Sequence, residues 1–116
     1  MTRISTGIST HVLDITQGLP AKDVAVRLER RVAAGDWRLL TSARTDEDGR
    51  CAQLLPVNED LIPGMYRLAF DTAAYFGELD GLYPLVEITF QVRDGEQHFH
   101  VPLLLSPNGY TTYRGS

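Results

Sequence analysis

Residues 85–92 read LVEITFQV. Val86, Ile88, Phe90 and Val92 alternate with Glu87, Thr89 and Gln91, a period of two that puts an apolar row on one side of an extended chain and a polar row on the other. Three more stretches repeat the pattern. VAVRLERRV (24–32) sets Val24, Val26 and Leu28 against Ala25, Arg27 and Glu29, and MYRLAF (65–70) sets Tyr66, Leu68 and Phe70 against Arg67. WRLLTSART (37–45) is expected to put Trp37, Leu39 and Ala43 on one face and Arg38, Ser42 and Arg44 on the other. Such strands are half-buried and pair antiparallel, one face packed and one face wet.

Turn residues separate them: Gly18-Leu19-Pro20, Ala34-Gly35-Asp36, Asp46-Glu47-Asp48-Gly49, Ile62-Pro63-Gly64 and Arg93-Asp94-Gly95. Short strands with frequent turns predict a sandwich or barrel. One segment, DTAAYFGELDG (71–81), breaks the period and predicts a short helix, N-capped by Asp71 or Thr72 and ending near Gly77 or Gly81. Repeats, linkers and low-complexity tracts are absent from the sequence.

The chain has 116 residues, 43% of them hydrophobic, which suits one ordinary domain, residues 1–116, with residues 1–7 expected to be flexible. Eleven basic and 15 acidic residues give a net charge of −4, and Arg30-Arg31 alone is too little for a nucleic-acid footprint. Cys51 is the only cysteine, so no intrachain disulfide supports the fold. The first residues lack the apolar segment of a secretory leader, and no stretch approaches the ~20 apolar residues of a membrane span. The expectation is a cytoplasmic protein with no nucleic-acid or membrane partner.

The chemistry-bearing residues lie near the two ends. In ISTHVLD (8–14), Ile8 and Val12 share one strand face, and Ser9, His11 and Leu13 share the other. In HFHVPLLL (98–105), Phe99, Val101, Leu103 and Leu105 form the apolar row, and His98, His100, Pro102 and Leu104 point the opposite way. With both apolar rows on the core, His11 and His100 lie on outer sheet faces. Leu13, Leu104 and the tail tyrosines are poor choices for a wholly wet face, which suggests a subunit interface holding a pocket. A histidine on a strand is more often a plain polar residue than a catalyst. An H-x-H pair also projects to one side, as metal ligands do, but no Asp, Glu or Cys stands nearby in a ligand spacing.

Five stretches taken together narrow these alternatives: THVLD (10–14), GLPA (18–21), TDEDGR (45–50), HVPLLLSP (100–107) and YTTYRGS (110–116). In this order, across nearly the whole chain, they resemble the transthyretin-related 5-hydroxyisourate hydrolases. Thr111, where many relatives have Ser, and Pro107-Asn108 depart from the pattern without touching the chemistry. The resemblance implies an all-β, transthyretin-like, two-sheet antiparallel β-sandwich with one short helix. It implies a homotetramer, a dimer of dimers, with active sites in the channel between dimers, and a purine-derived small-molecule substrate. Carried over by motif, it assigns His11, Arg50, His100 and Ser116 to catalysis and His11, Arg50, Tyr113 and Arg114 to substrate binding, with no metal and no cofactor. Ser116 is expected to bring the terminal carboxylate beside His100, so a C-terminal extension should harm activity more than an N-terminal tag.

The implied reaction opens the six-membered ring of 5-hydroxyisourate by attack of water on a lactam carbonyl. A histidine titrating near neutrality suits proton removal from water, and a planar, permanently charged arginine suits a developing oxyanion. Covalent catalysis has little support: there is no G-x-S-x-G elbow, and Cys51, next to Arg50 on an alternating strand, points away from it. The rival readings are a transthyretin-like small-molecule carrier and a structural interaction module.

Overall fold

In the computed structural model the described residues are 7–77 and 81–116. They form β1 (Gly7–Asp14), β2 (Leu19–Pro20), β3 (Ala25–Arg31), β4 (Trp37–Arg44), β5 (Arg50–Cys51), β6 (Gly64–Phe70), α1 (Thr72–Phe76), β7 (Val86–Val92), β8 (His98–His100), β9 (Leu103–Ser106) and β10 (Gly109–Thr112), with a 3-10 turn at Ala33–Gly35. The expected flexibility of residues 1–7 falls outside the described residues except at Gly7, which opens β1 opposite His98 of β8. Of the segment expected to be helical, residues 78–80 also lie outside them.

One sheet has the order β4-β3-β6-β7, with every pairing antiparallel. The other is built around β1, which pairs with β8 and β9 along one edge and with β5 and β2 along the other; β10 continues beyond β9. Here the antiparallel expectation needs correction, because β1 runs parallel to β8 and β9. A parallel pairing needs a long crossover. The connection from β1 to β8 is most of the chain, including the whole opposite sheet.

The apolar rows read from the sequence meet between the sheets. Ile8, Val12, Phe99, Leu103 and Leu105 pack toward Val26, Leu28, Tyr66, Leu68 and Phe70, all buried. The molecule is 21 Å across its shortest axis, the thickness of two sheets about 10 Å apart plus their outer side chains. Tyr66 takes its ring to the centre because its hydroxyl has a place to go: it donates to the Ile62 carbonyl at 3.0 Å and accepts from the Ile62 N–H at 3.1 Å.

In β4 the predicted alternation fails. Leu28 pairs with Thr41 but Glu29 pairs with Leu39, so Leu40 is an extra residue in a β-bulge. The bulge reverses the facing of everything before it. Leu39 is exposed, Leu40 packs on the core, and Trp37 lies on the outer face under the Arg67 guanidinium, 4.3 Å from its ring centre. Only Ala43, beyond the bulge, keeps the predicted inward facing.

The helix is one short turn. The Asp71 carboxylate accepts from the Ala74 N–H at 3.2 Å, and Gly77 ends the helix at φ 55°. Tyr75 ties it to β1 by donating to the buried Asp14 carboxylate at 2.7 Å. Burial, with Asp14 beside it, pushes the Tyr75 hydroxyl up to about 12. The other Asp14 oxygen accepts from the Thr16 and Gln17 N–H groups, so one carboxylate fixes both the helix and the turn leaving β1.

Candidate active site

Strand β1 organises the site because residues of one strand face recur every second position. Ser9 and His11 both face outward. Ser9 is opposite His100 of β8 on one side, and His11 is opposite Arg50 of β5 on the other. The result is a patch of four side chains drawn from three strands and from sequence positions 9 to 100. Neighbouring strands are about 4.8 Å apart, so the strands bearing Arg50 and His100 flank β1 with roughly 10 Å between them.

Each member is held by its own local structure. Arg50 sits where the 46–50 turn re-enters the sheet. The Asp46 carboxylate accepts from the Asp48 and Arg50 N–H groups, both at 2.9 Å, and folds the turn back on itself. Gly49, at φ 76°, lets this turn lie against β1: a β-carbon there would overlap the Val12 carbonyl oxygen. The Gly49 carbonyl in turn accepts from the Val12 N–H at 2.7 Å. The turn also fixes His11, whose Nε2 lies 2.9 Å from the Asp48 carbonyl oxygen. A carbonyl only accepts, so Nε2 carries the proton and Nδ1 of the neutral ring is its acceptor nitrogen.

His100 is held on three sides. Its Nδ1 lies 2.8 Å from the Ser9 hydroxyl. Its carbonyl accepts from the Gly115 N–H at 2.8 Å, and Gly115 forms a single antiparallel bridge with it as the chain after β10 folds back. The ring packs so closely on Gly115 that a β-carbon there would overlap its Cδ2. Burial first, then the charge of Arg50 and of the His11 and His98 imidazoles when these are protonated, holds the His100 imidazole below its ordinary 6.5. His100 is therefore neutral at pH 7.

Ser9, Arg50, Ala52, His98, His100 and Ser116 line an open depression of about 260 Å3. Three of the residues singled out in the sequence, Arg50, His100 and Ser116, thus meet at one place, with His11 beside them on β1. Tyr113 and Arg114 do not. They line a second depression of about 320 Å3, floored by Ile88, Phe90 and Phe99. The Arg114 guanidinium stacks 4.4 Å from the Phe99 ring centre, bonds Glu96 at 2.9 Å and reaches the His98 carbonyl at 3.3 Å. Within one chain it anchors the returning tail.

Three lining residues, Ser9, Ala52 and His98, were not assigned to the site by motif. Ser9 stands one residue before the THVLD motif, and its signal was its place on the His11 face. His98 shares the His100 face, but the HVP motif holds only the second histidine of the pair. Cys51 is buried, and burial together with Asp46 pushes its thiol up to about 11, which suits an inert side chain. Among the described residues, no group of three or more His, Cys, Asp or Glu side chains is arranged to hold a metal ion, and no helix is long and apolar enough to cross a membrane.

The arrangement provides a neutral imidazole and a fixed cation around one opening with a second imidazole, His11, beside it on β1, a set suited to moving a proton from water while charge develops on an oxygen. Comparisons with known proteins identify the family. A mouse 5-hydroxyisourate hydrolase is 47% identical over 97% of both chains. One from Halalkalibacterium halodurans is 42% identical over 94% of this chain and 97% of its own. The solved 5-hydroxyisourate hydrolase of Klebsiella pneumoniae superposes with a TM-score of 0.80 at 38% identity, covering 97% of this chain and all of that one. Sea bream transthyretin in complex with thyroxine superposes at 0.85 with 31% identity over 93% of each. The HIUase/Transthyretin family model matches residues 8–115, and the chain belongs to that family.

Proposed function

We propose that the protein hydrolyses 5-hydroxyisourate to 2-oxo-4-hydroxy-4-carboxy-5-ureidoimidazoline in urate degradation. The observation that carries this reading is the grouping of neutral His100, Arg50 and His11 on one outward patch of β1 and its neighbours. The hydrolase names of relatives at 42–47% identity support it, as does a uric acid degradation bifunctional protein of Arabidopsis thaliana, 42% identical over 94% of this chain.

In this mechanism His100 takes a proton from water as the oxygen attacks the lactam carbonyl. Arg50 faces the oxyanion that forms, where a fixed charge acts most strongly. The tetrahedral intermediate then collapses, the C–N bond breaks, and the His100 imidazolium returns its proton to the leaving nitrogen. The new carboxylic acid ionises to the product carboxylate. His11, with Nε2 committed to Asp48, offers Nδ1 to the substrate. Ser116 closes the depression beside His100. For Tyr113 and Arg114 a substrate contact rests on the family resemblance, and their place in the chain supports the tail. No cofactor or metal takes part, and activity is expected to persist in chelator.

The active assembly is a homotetramer in the cytoplasm. Exposed Ile15, Leu19, Tyr110 and Tyr113, with half-buried Leu13 and Leu104, support burial of this surface by other copies. The second reading is a small-molecule carrier, favoured by the superposition on transthyretin with thyroxine. A coupled assay separates the two. Urate oxidase generates 5-hydroxyisourate, and its absorbance decay is followed with the protein, with His100→Ala and with neither. Acceleration by the wild type alone is expected. A folded protein that leaves the decay unchanged rejects the hydrolase in favour of the carrier.

A further inference from the structure

We infer that Ser9 is a positioning residue that fixes the tautomer of His100: its hydroxyl accepts from Nδ1–H and so leaves the Nε2 lone pair free to take a proton. The inference rests on the hydrolase reading for its purpose and on the local geometry for its content. Ser9 is buried, lines the depression, and its Oγ lies 2.8 Å from His100 Nδ1. This is its only side-chain hydrogen bond among the described residues. Nε2 of His100 has no protein hydrogen-bond partner among them, while its carbon neighbour Cδ2 is packed on Gly115.

In a neutral imidazole the nitrogen that keeps the proton is set by the hydrogen bond the other atoms make. A hydroxyl serves either way. Were Ser9 the donor, Nε2 would carry the proton and His100 would be unable to accept one from water. With Ser9 as acceptor, the base is ready before substrate arrives. When Nε2 becomes protonated, Nδ1–H stays on Ser9, and Ser9 gains and loses no proton. A neutral hydroxyl does this without raising the basicity of the ring, which a carboxylate in the same place would do. His100, held below its ordinary value by burial and by Arg50, His11 and His98, therefore stays neutral. The backbone explains the pairing: parallel register places Ser9 opposite His100, and the two side chains share a face.

The two histidines carry opposite assignments in one molecule. His11 bonds a carbonyl through Nε2 and keeps its proton there, whereas His100 keeps its proton on Nδ1. Long-range 1H–15N NMR of the 15N-labelled wild type at pH 7.5 is expected to show an unprotonated Nε2 in His100 and a protonated Nε2 in His11. Ser9→Ala is expected to shift His100 toward the Nε2–H form and to lower kcat about tenfold, the scale of one hydrogen bond, with KM little changed. Ser9→Thr, which keeps the hydroxyl, is expected to restore both. A wild-type His100 already protonated at Nε2 overturns the inference, whatever the variants do, as does a Ser9→Ala protein with unaltered tautomer and kcat. An absence of wild-type turnover rejects the hydrolase reading instead and leaves the NMR result to decide the tautomer.

Discussion

His100 owes its usefulness to what surrounds it rather than to its identity. Partial burial, the Arg50 charge and two neighbouring histidines that repel it when protonated favour its neutral form, so the base is available below the usual histidine range. The sign follows directly: protonated His100 is inactive, and a lowered pKa carries the neutral form to lower pH. The acid limb of kcat/KM is expected below 6.5, the ordinary value, and removal of one positive neighbour in Arg50→Met should move it upward even as the rate falls. A limb at or above 6.5 in the wild type would contradict this account. Gly115 acts by having no side chain. In Gly115→Ala the new β-carbon meets Cδ2 of the imidazole, so either the ring or the tail must move. A loss of at least tenfold in kcat/KM is expected, with little change in thermal midpoint because the tail follows the last strand. Unchanged kinetics would show that the close packing on His100 is unimportant.

At the scale of elements, the 46–50 turn is the device that joins stability to function. The same few residues cap the turn, pair it with β1, orient His11 through the Asp48 carbonyl and deliver Arg50. Gly49→Ala combines a left-handed backbone with an overlap on the Val12 carbonyl oxygen. The expected loss is about 1–3 kcal/mol, read as a lower urea midpoint at constant m-value, with activity reduced as well. A variant as stable as the wild type would mean that the turn has room the backbone does not reveal. The bulge in β4 has a comparable local logic, since one extra residue turns Leu39 and Trp37 outward, where Trp37 supports Arg67 and its ion pair with Glu29.

For the whole molecule, the open depression and the apolar residues around it share one outer surface. A second copy seated there would exclude water from His100 and strengthen the effect of Arg50. Sedimentation is expected to give four copies of the chain per particle. Leu104→Glu, placed on the outward face of β9 four residues after His100, is expected to yield smaller particles with native far-UV circular dichroism and severely reduced turnover. Full activity in a monomer would reject the idea that assembly completes the site.

Local pattern was enough to place most strands, the helix start to within Asp71 or Thr72, and the core rows, because burial on one face of a strand imposes a period of two that any window of residues displays. It was not enough to single out His11, Arg50 and His100, which were named only by the resemblance of the motifs around them to a known family. Other features depend on pairing between distant segments. The parallel register of β1 with β8, the bulge at Leu40, the Ser9–His100 contact and the separation of Arg114 from the histidine depression all arise only when strands far apart in sequence are laid side by side. Outside the β4 bulge, the sequence by itself determined which residues face outward on a strand; the tertiary structure decided which of them meet, and where the alternation breaks, because register is a property of two strands and not of one.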